Sequence, residues 1–211
     1  LSGRNASEKM VINTYGTGPR PRILSGTSNG IDTNEHPYHV SHLAIVSLEF
    51  FADTYNGANG APVGIYWGGS AVDCIFEDLF IHNYSNGLVI QGSPPSGNPD
   101  GTIRHTDITL RRSIVFDSWA NVGNSQGMYV FAVDGLNIEE NLFDNNGWIT
   151  PGGYTQFRRN VYIQNGSTGV FFRRNILTNT CGVQLRCGGV MTGNVFSRLD
   201  AAITVGTGNH P

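Results

Sequence analysis

The sequence predicts an all-β solenoid, a parallel β-helix of roughly seven to eight coils, and three observations carry that prediction. A short phrase of asparagine followed by apolar residues recurs between Glu139 and Phe196. It reads Asn141-Leu142-Phe143, Asn160-Val161-Tyr162-Ile163, Asn175-Ile176-Leu177 and Asn194-Val195-Phe196, with the asparagines 19, 15 and 19 residues apart. Upstream, Ser113-Ile114-Val115-Phe116, Asp78-Leu79-Phe80-Ile81 and Ser47-Leu48-Glu49-Phe50 repeat the phrase with another polar residue in place of Asn. Finally, about three short strand-like runs fall in each repeat, and no segment reads as a helix of more than two turns. So short an apolar run cannot bury its own face, so the copies must stack.

Taken in order, Met10 to Leu24 reads as two short strands around a Gly-Thr-Gly-Pro-Arg-Pro corner, and 25–41 as a polar loop. His42 to Phe51 is the first clear rung. Val63 to Trp67, Cys74 to Ile81 and Gly87 to Gln91 follow, separated by turn-rich stretches at 52–62 and 92–101. From Thr102 the rungs tighten: Asp107–Leu110, Ser113–Phe116, Gly127–Val133, Leu136–Glu139 and Asn141–Phe143 are strands. Past the loops at 120–127 and 147–156 come Val161–Ile163, Val170–Phe172, Ile176–Leu177, Val183–Leu185, Val190–Met191, Val195–Phe196 and Ile203–Val205. Insertions cluster in the first half. In a solenoid they map to one face, so these loops are the expected walls of a groove.

Composition narrows the function classes. The 211 residues suit one domain with a substantial core, read here as a single β-helix over 1–211. A charged fraction of 14% and a net charge of −3 argue against a nucleic-acid groove. Lys9 is the sole lysine, which removes most candidates for a lysine base. No apolar run is long enough to span a membrane, and no signal-peptide pattern opens the chain. The abrupt ends and the lack of an amphipathic cap suggest a fragment, a processed form or a trimmed chain. They lead us to expect end-to-end contact with another chain or a missing domain. Cys181 and Cys187 bracket an extended run that would hold them about 20 Å apart, too far for a disulfide, so buried thiols are expected.

The rungs, their Asn-apolar-Phe corners and phrases such as Gly182-Val183-Gln184-Leu185-Arg186 resemble the right-handed parallel β-helices of the pectin-lyase-like superfamily over roughly residues 42 to 205. The resemblance implies a secreted or cell-surface, carbohydrate-active protein that cleaves an acidic polysaccharide as a lyase or glycoside hydrolase. It equally allows a noncatalytic carbohydrate-binding or structural segment of a larger surface protein, since fold does not settle chemistry.

Stacking would turn the repeat into columns with rungs about 4.8 Å apart. The asparagines form one column, whose side chains are expected to hydrogen-bond along the stack. Glu77, Arg112, Glu140, Arg159 and Arg174 form a second. It reads either as an outward salt-bridge ladder or, through Arg159 and Arg174, as a cationic stripe for an acidic sugar chain. His82, Asp117, Asp144, Gln164 and Thr178 form a third. Its carboxylates could act as acid and nucleophile or hold Ca²⁺, or they could simply bond turn backbone. The resemblance adds a Ca²⁺ with an Arg base, abstracting the proton α to a uronate carboxylate. His82, Asp117 and Asp144 are therefore the expected catalytic residues, with Arg159, Arg174, Trp119 and Trp148 as substrate contacts. The metal ligands stay open. His36, His39 and His42 read weakly as ligands, Arg104-His105 with Asp107 as a surface patch, and the tryptophans with Tyr55, Tyr84, Tyr129 and Tyr154 either as sugar platforms or as loop packing.

Overall fold

The computed structural model describes residues 2–33, 39–91, 105–148 and 157–206, and within them every regular element is a strand. The first coil runs β1 (Met10–Ile12), β2 (Arg22–Leu24), β3 (Ile31–Asp32), and the second β4 (His39–Val46), β5 (Glu49–Phe51), β6 (Val63–Trp67). The third is β7 (Ser70–Glu77), β8 (Phe80–His82), β9 (Asn86–Gln91), and the fourth β10 (His105–Arg111), β11 (Ile114–Phe116), β12 (Gln126–Phe131). The fifth is β13 (Val133–Glu139), β14 (Leu142–Asp144), β15 (Arg159–Ile163), and the sixth β16 (Val170–Arg173), β17 (Ile176–Thr178), β18 (Cys181–Leu185). The seventh is β19 (Gly189–Thr192), β20 (Val195–Ser197), β21 (Ala201–Val205). Corresponding strands of successive coils form three parallel sheets of seven strands each. The chain is a parallel β-helix, as its repeat predicted. Among the described residues no helix is long and apolar enough to cross a membrane.

The expected rung from His42 to Phe51 divides, because Ser47 takes a φ of 57° and turns the chain between β4 and β5. The same corner recurs at Asp78, Arg112, Glu140 and Arg174, and a second one at Asn83, Asp117, Asn145 and Asn179, all with φ between 50° and 60°. Asn and Asp tolerate this left-handed geometry better than most residues. The arginines and glutamates there are held by their neighbours, as described below.

Inward residues stack in register. Phe50, Ile81, Val115, Phe143 and Leu177 follow one another through the second sheet, and each is fully buried. The expected asparagine column is real but is two columns. At the first corner Asn141 and Asn175 donate to the side-chain oxygens of Asn175 and Asn194, through both backbone N and Nδ2, at 2.8–3.2 Å. Ser113 caps this ladder, donating to Asn141 Oδ1 at 2.9 Å. Asn160 belongs instead to the second corner, where Ser118 donates to Asn146 and Asn146 to Asn160. The irregular spacing of the phrase thus mixes two corners of one coil. Asp78 and Ser47 are also one place out of phase with it, since Phe80 and Glu49 pair at the level of Ile114.

The second expected column also resolves into a paired ladder. Glu77-Asp78, Arg111-Arg112, Glu139-Glu140 and Arg173-Arg174 occupy one corner on four successive coils with alternating sign. Arg111 and Arg112 each reach Glu77 at 2.7 Å, and Arg112 reaches Glu140 at 3.2 Å. Arg174 bonds Glu140 at 2.9 Å and Glu139 at 3.3 Å. Removing Arg158-Arg159 from this corner restores the alternation that the sequence seemed to break.

All three cysteines are free, and burial raises the Cys74 thiol to about 11. The Arg104-His105-Asp107 patch is corrected in part: Asp107 is exposed, but His105 is fully buried and Arg104 lies outside the described residues.

Candidate functional site

The expected catalytic column does not assemble. Phe116, not Asp117, is level with both His82 and Asp144. Asp117 lies one place further on, in the left-handed corner, where its Oδ1 accepts from Asn145 Nδ2 at 2.7 Å. Asp144 is two coils from His82, and its Oδ1 accepts from Asn179 Nδ2 at 2.6 Å. Both carboxylates act as turn fasteners. Thr178 does follow Asp144 in register, whereas Gln164 lies beyond β15 on the third sheet's side.

His82 stacks between the rings of Phe51 (4.4 Å) and Phe116 (4.7 Å), and its Nε2 meets Glu49 Oε1 at 2.9 Å. Burial pushes the Glu49 carboxyl up, but the His82 and Arg22 hydrogen bonds outweigh it and hold Glu49 below its ordinary range. Among the described residues no group of three or more His, Cys, Asp or Glu gathers to hold a metal ion. Asp117 and Asp144, each spent on an amide, do not fit the Ca²⁺ reading. His39 and His42 bond Ser70 and Asp73 separately, and His36 and Tyr154 lie outside the described residues.

The expected substrate contacts fare similarly. Arg159 is 2% exposed on β15 and donates to Thr204 Oγ1 at 3.2 Å, so it cannot present a cation to a polymer. Arg174 is exposed but engaged in the ladder. Trp119 and Trp148 stack at 4.6 Å with planes 2° apart, bridging adjacent coils. Tyr55 tilts against Trp119, Gly57 packs on its ring, and its Nε1 donates to Asn83. A Cβ at Gly57 would lie 2.3 Å from that ring, and its φ of 82° also suits glycine. Loop packing is the role of Trp119. Beneath the pair, buried Arg158 donates to the carbonyls of Ala120 (2.7 Å), Gly123 and Trp148 (3.3 Å).

An open groove instead lies on the outer face of the third sheet. Along β12 the inward Met128 and Val130 alternate with Tyr129 and Phe131. Register places Tyr66, Val89, Tyr129, Tyr162 and Gln184 in one outward row. Tyr129 and Tyr162 stack at 5.6 Å, with Tyr162 buried and Tyr129 half-buried. Around them Asn86, Gln91, Asn124, Gln126, Phe157, Gln164 and Arg186 complete an open groove of about 400 Å³.

The polar groups of the groove are mutually oriented. Arg186 Nη1 donates to the Tyr162 hydroxyl at 2.8 Å, Gln91 Nε2 to the Tyr66 hydroxyl at 3.2 Å, and Gln126 N to Asn86 Oδ1 at 2.9 Å. Burial, with the neighbouring Tyr162, raises the Tyr129 phenol, so it stays neutral and can both donate and accept. No aspartate, glutamate or histidine is among the described lining residues. The groove can stack against apolar ring faces, bond hydroxyls through amides and phenols, and meet an anion with one guanidinium.

Of these residues only Tyr129 and Gln164 were singled out from the sequence, each in another setting. The available signal was period-two alternation in Gln126–Phe131 and Val161–Gln164, with the tyrosines one repeat apart. No family model matches the chain, and no curated protein or solved structure matches it significantly.

Proposed function

We propose that the chain is a polysaccharide-binding β-helix of the pectin-lyase-like kind, acting outside the cell, which holds an acidic glycan along the third sheet without cleaving it. The observation that carries this reading is the Tyr129–Tyr162 stack set among amides, with Arg186 beside it. Aromatic faces provide apolar contact at low entropy cost, and amides discriminate hydroxyl patterns. Arg186 forms no carboxylate ion pair among the described residues, so its guanidinium suits a sugar carboxylate. The described lining holds no pair of carboxylates of the kind glycoside hydrolysis employs.

Titration with a panel of acidic and neutral polysaccharides tests the reading. Tyr129→Ala should weaken binding about tenfold, or about 1.4 kcal/mol, and Tyr162→Ala should weaken it by removing the buried ring that Tyr129 stacks on. Asp117→Asn with Asp144→Asn should leave binding unchanged. Tyrosine variants that bind like the parent, or release of unsaturated products or new reducing ends by the parent chain, would refute it.

A further inference from the structure

A different face of the molecule carries an independent inference, one that does not use the groove. One outward row of the second sheet is apolar over five successive coils, while the row beside it runs His82, Phe116, Asp144, Thr178 and Ser197. Phe80, Ile114, Leu142, Ile176 and Val195 occupy one outward row in unbroken register. Phe51 and Phe116 add aromatic area beside it, in the row that holds His82. Ile176 is 46% exposed and Val195 54%. Phe80, Ile114 and Leu142 are half-buried, so the row forms a continuous apolar strip that opens toward its C-terminal end.

The flanks of the stripe say what fits it. On one side runs the ladder whose doublets alternate in sign over four coils: Glu77-Asp78, Arg111-Arg112, Glu139-Glu140, Arg173-Arg174. On the other runs the corner column Asn83, Asp117, Asn145, Asn179. We propose that this face pairs with the same face of a second copy, antiparallel, about a two-fold axis crossing the coils between Ile114 and Leu142.

Only an axis in this orientation lays ladder against ladder, because it reverses the order of the coils while keeping each flank on its own side. Reversal turns −+−+ into +−+−. The arginine doublet at 111–112 then meets the partner's glutamate doublet at 139–140, and Glu77-Asp78 meets the partner's Arg173-Arg174. The same operation sets Ile114 on the partner's Leu142 and Phe80 on the partner's Ile176. On the far flank it sets Asp117 against the partner's Asn145, a carboxylate against an amide donor. An axis through the Ile114 coil or the Leu142 coil would put like charges face to face, so the charge pattern selects the register.

The dimensions suit a weak pair. The operation overlays six coils, so five rung spacings make the shared face about 24 Å long. A three-residue strand with a corner on each side is about 20 Å across, giving about 480 Å² before side-chain relief, smaller than the roughly 800 Å² per partner of a standard interface. The grooves on the third sheets would remain open in both copies.

Sedimentation of the full chain tests this. The expected result is a concentration-dependent species of twice the 22.9 kDa chain mass. Ile114→Lys alone and Leu142→Glu alone should each halve that mass while keeping the parent's circular dichroism. Mixing the two variants in equal amounts should restore the double-mass species, because each lysine then faces a glutamate across the axis. Val190→Lys, at an apolar position of similar exposure on the first sheet, should leave the pair intact. A parent chain that sediments as a single copy at all concentrations overturns the proposal. Two single-copy variants that fail to rescue each other when mixed overturn it as well.

Discussion

Acid should weaken this fold through one core imidazole before it weakens it through carboxylates. His105 opens β10 in the inward row with Ala71 and Val133, and it is fully buried. Neither ring nitrogen makes a well-formed hydrogen bond; the backbone of Gln91 is the one polar group that favours its charged form. Burial therefore lowers its pKa from 6.5 to about 4. The unfolded chain takes up a proton near pH 6.5 that the folded chain refuses until about pH 4, so stability falls as pH drops through this window. From pH 7.5 to 4.5 the loss works out at about 2.5 kcal/mol, a large share of a typical domain's stability. His105→Leu keeps a side chain of similar bulk and removes the titration. Unfolding free energies from urea denaturation across that range should fall for the parent by about 2.5 kcal/mol more than for the variant. Equal pH dependence in the two proteins would refute the reasoning, whatever their stabilities at neutral pH.

Two further predictions concern the supports of the coil. Asn175→Ala strips acceptors from Asn141 N and Nδ2 and donors from Ile138 O and Asn194 Oδ1, and should cost about 3 kcal/mol in chemical denaturation. Asn175→Ser should cost less, because Ser113 already serves at the equivalent place in the same ladder. Arg158→Met leaves three carbonyls without their guanidinium donor and should both destabilise the chain by about 2 kcal/mol and alter the near-ultraviolet circular dichroism of the Trp119–Trp148 stack. An unchanged aromatic spectrum would show that Arg158 does not set the stack.

How much of this was legible in the sequence depends on which side of the strand a residue faces. Inward positions repeat because stacking constrains them, so Val115, Phe143 and Leu177 announced the fold, whereas Phe116 is one place out and faces outward beside His82. Columns were legible only to within one residue. Asn141 and Asn160 look alike in sequence, yet one precedes a strand of the second sheet and the other lies in a strand of the third. A coil has two corners that need a buried amide, and local sequence does not say which corner an asparagine serves. The displacement of Asp117 from the column of His82 has the same origin, since one left-handed corner residue moves an outward carboxylate into a turn. Arg159 misled for a different reason: composition identifies a guanidinium but not its burial. The groove escaped because its tyrosines lie on different coils, and proximity between coils follows from loop lengths that vary. The Asn and Ser ladder steps span 28, 34 and 19 residues within a single stack.

The positions of the carboxylates bear on function more strongly than any single residue. Glu77, Glu139 and Glu140 lie in the arginine ladder, Glu49 between Arg22 and His82, Asp73 against Lys9 and His42, and Asp78 on Arg20. These partners hold Glu49, Asp73, Asp78 and Glu140 below their ordinary ranges, and in the first three they do so against the upward push of burial. A general acid needs the opposite shift, toward neutrality at working pH. The negative groups so placed serve to fasten one coil to the next on the first and second sheets. The groove on the third sheet, whose described lining carries no carboxylate, presents phenols, amides and one guanidinium, with Asp32 beside Tyr66 at the end of the same row. A surface so composed can draw an anion to Arg186 with no carboxylate in the described lining to repel it.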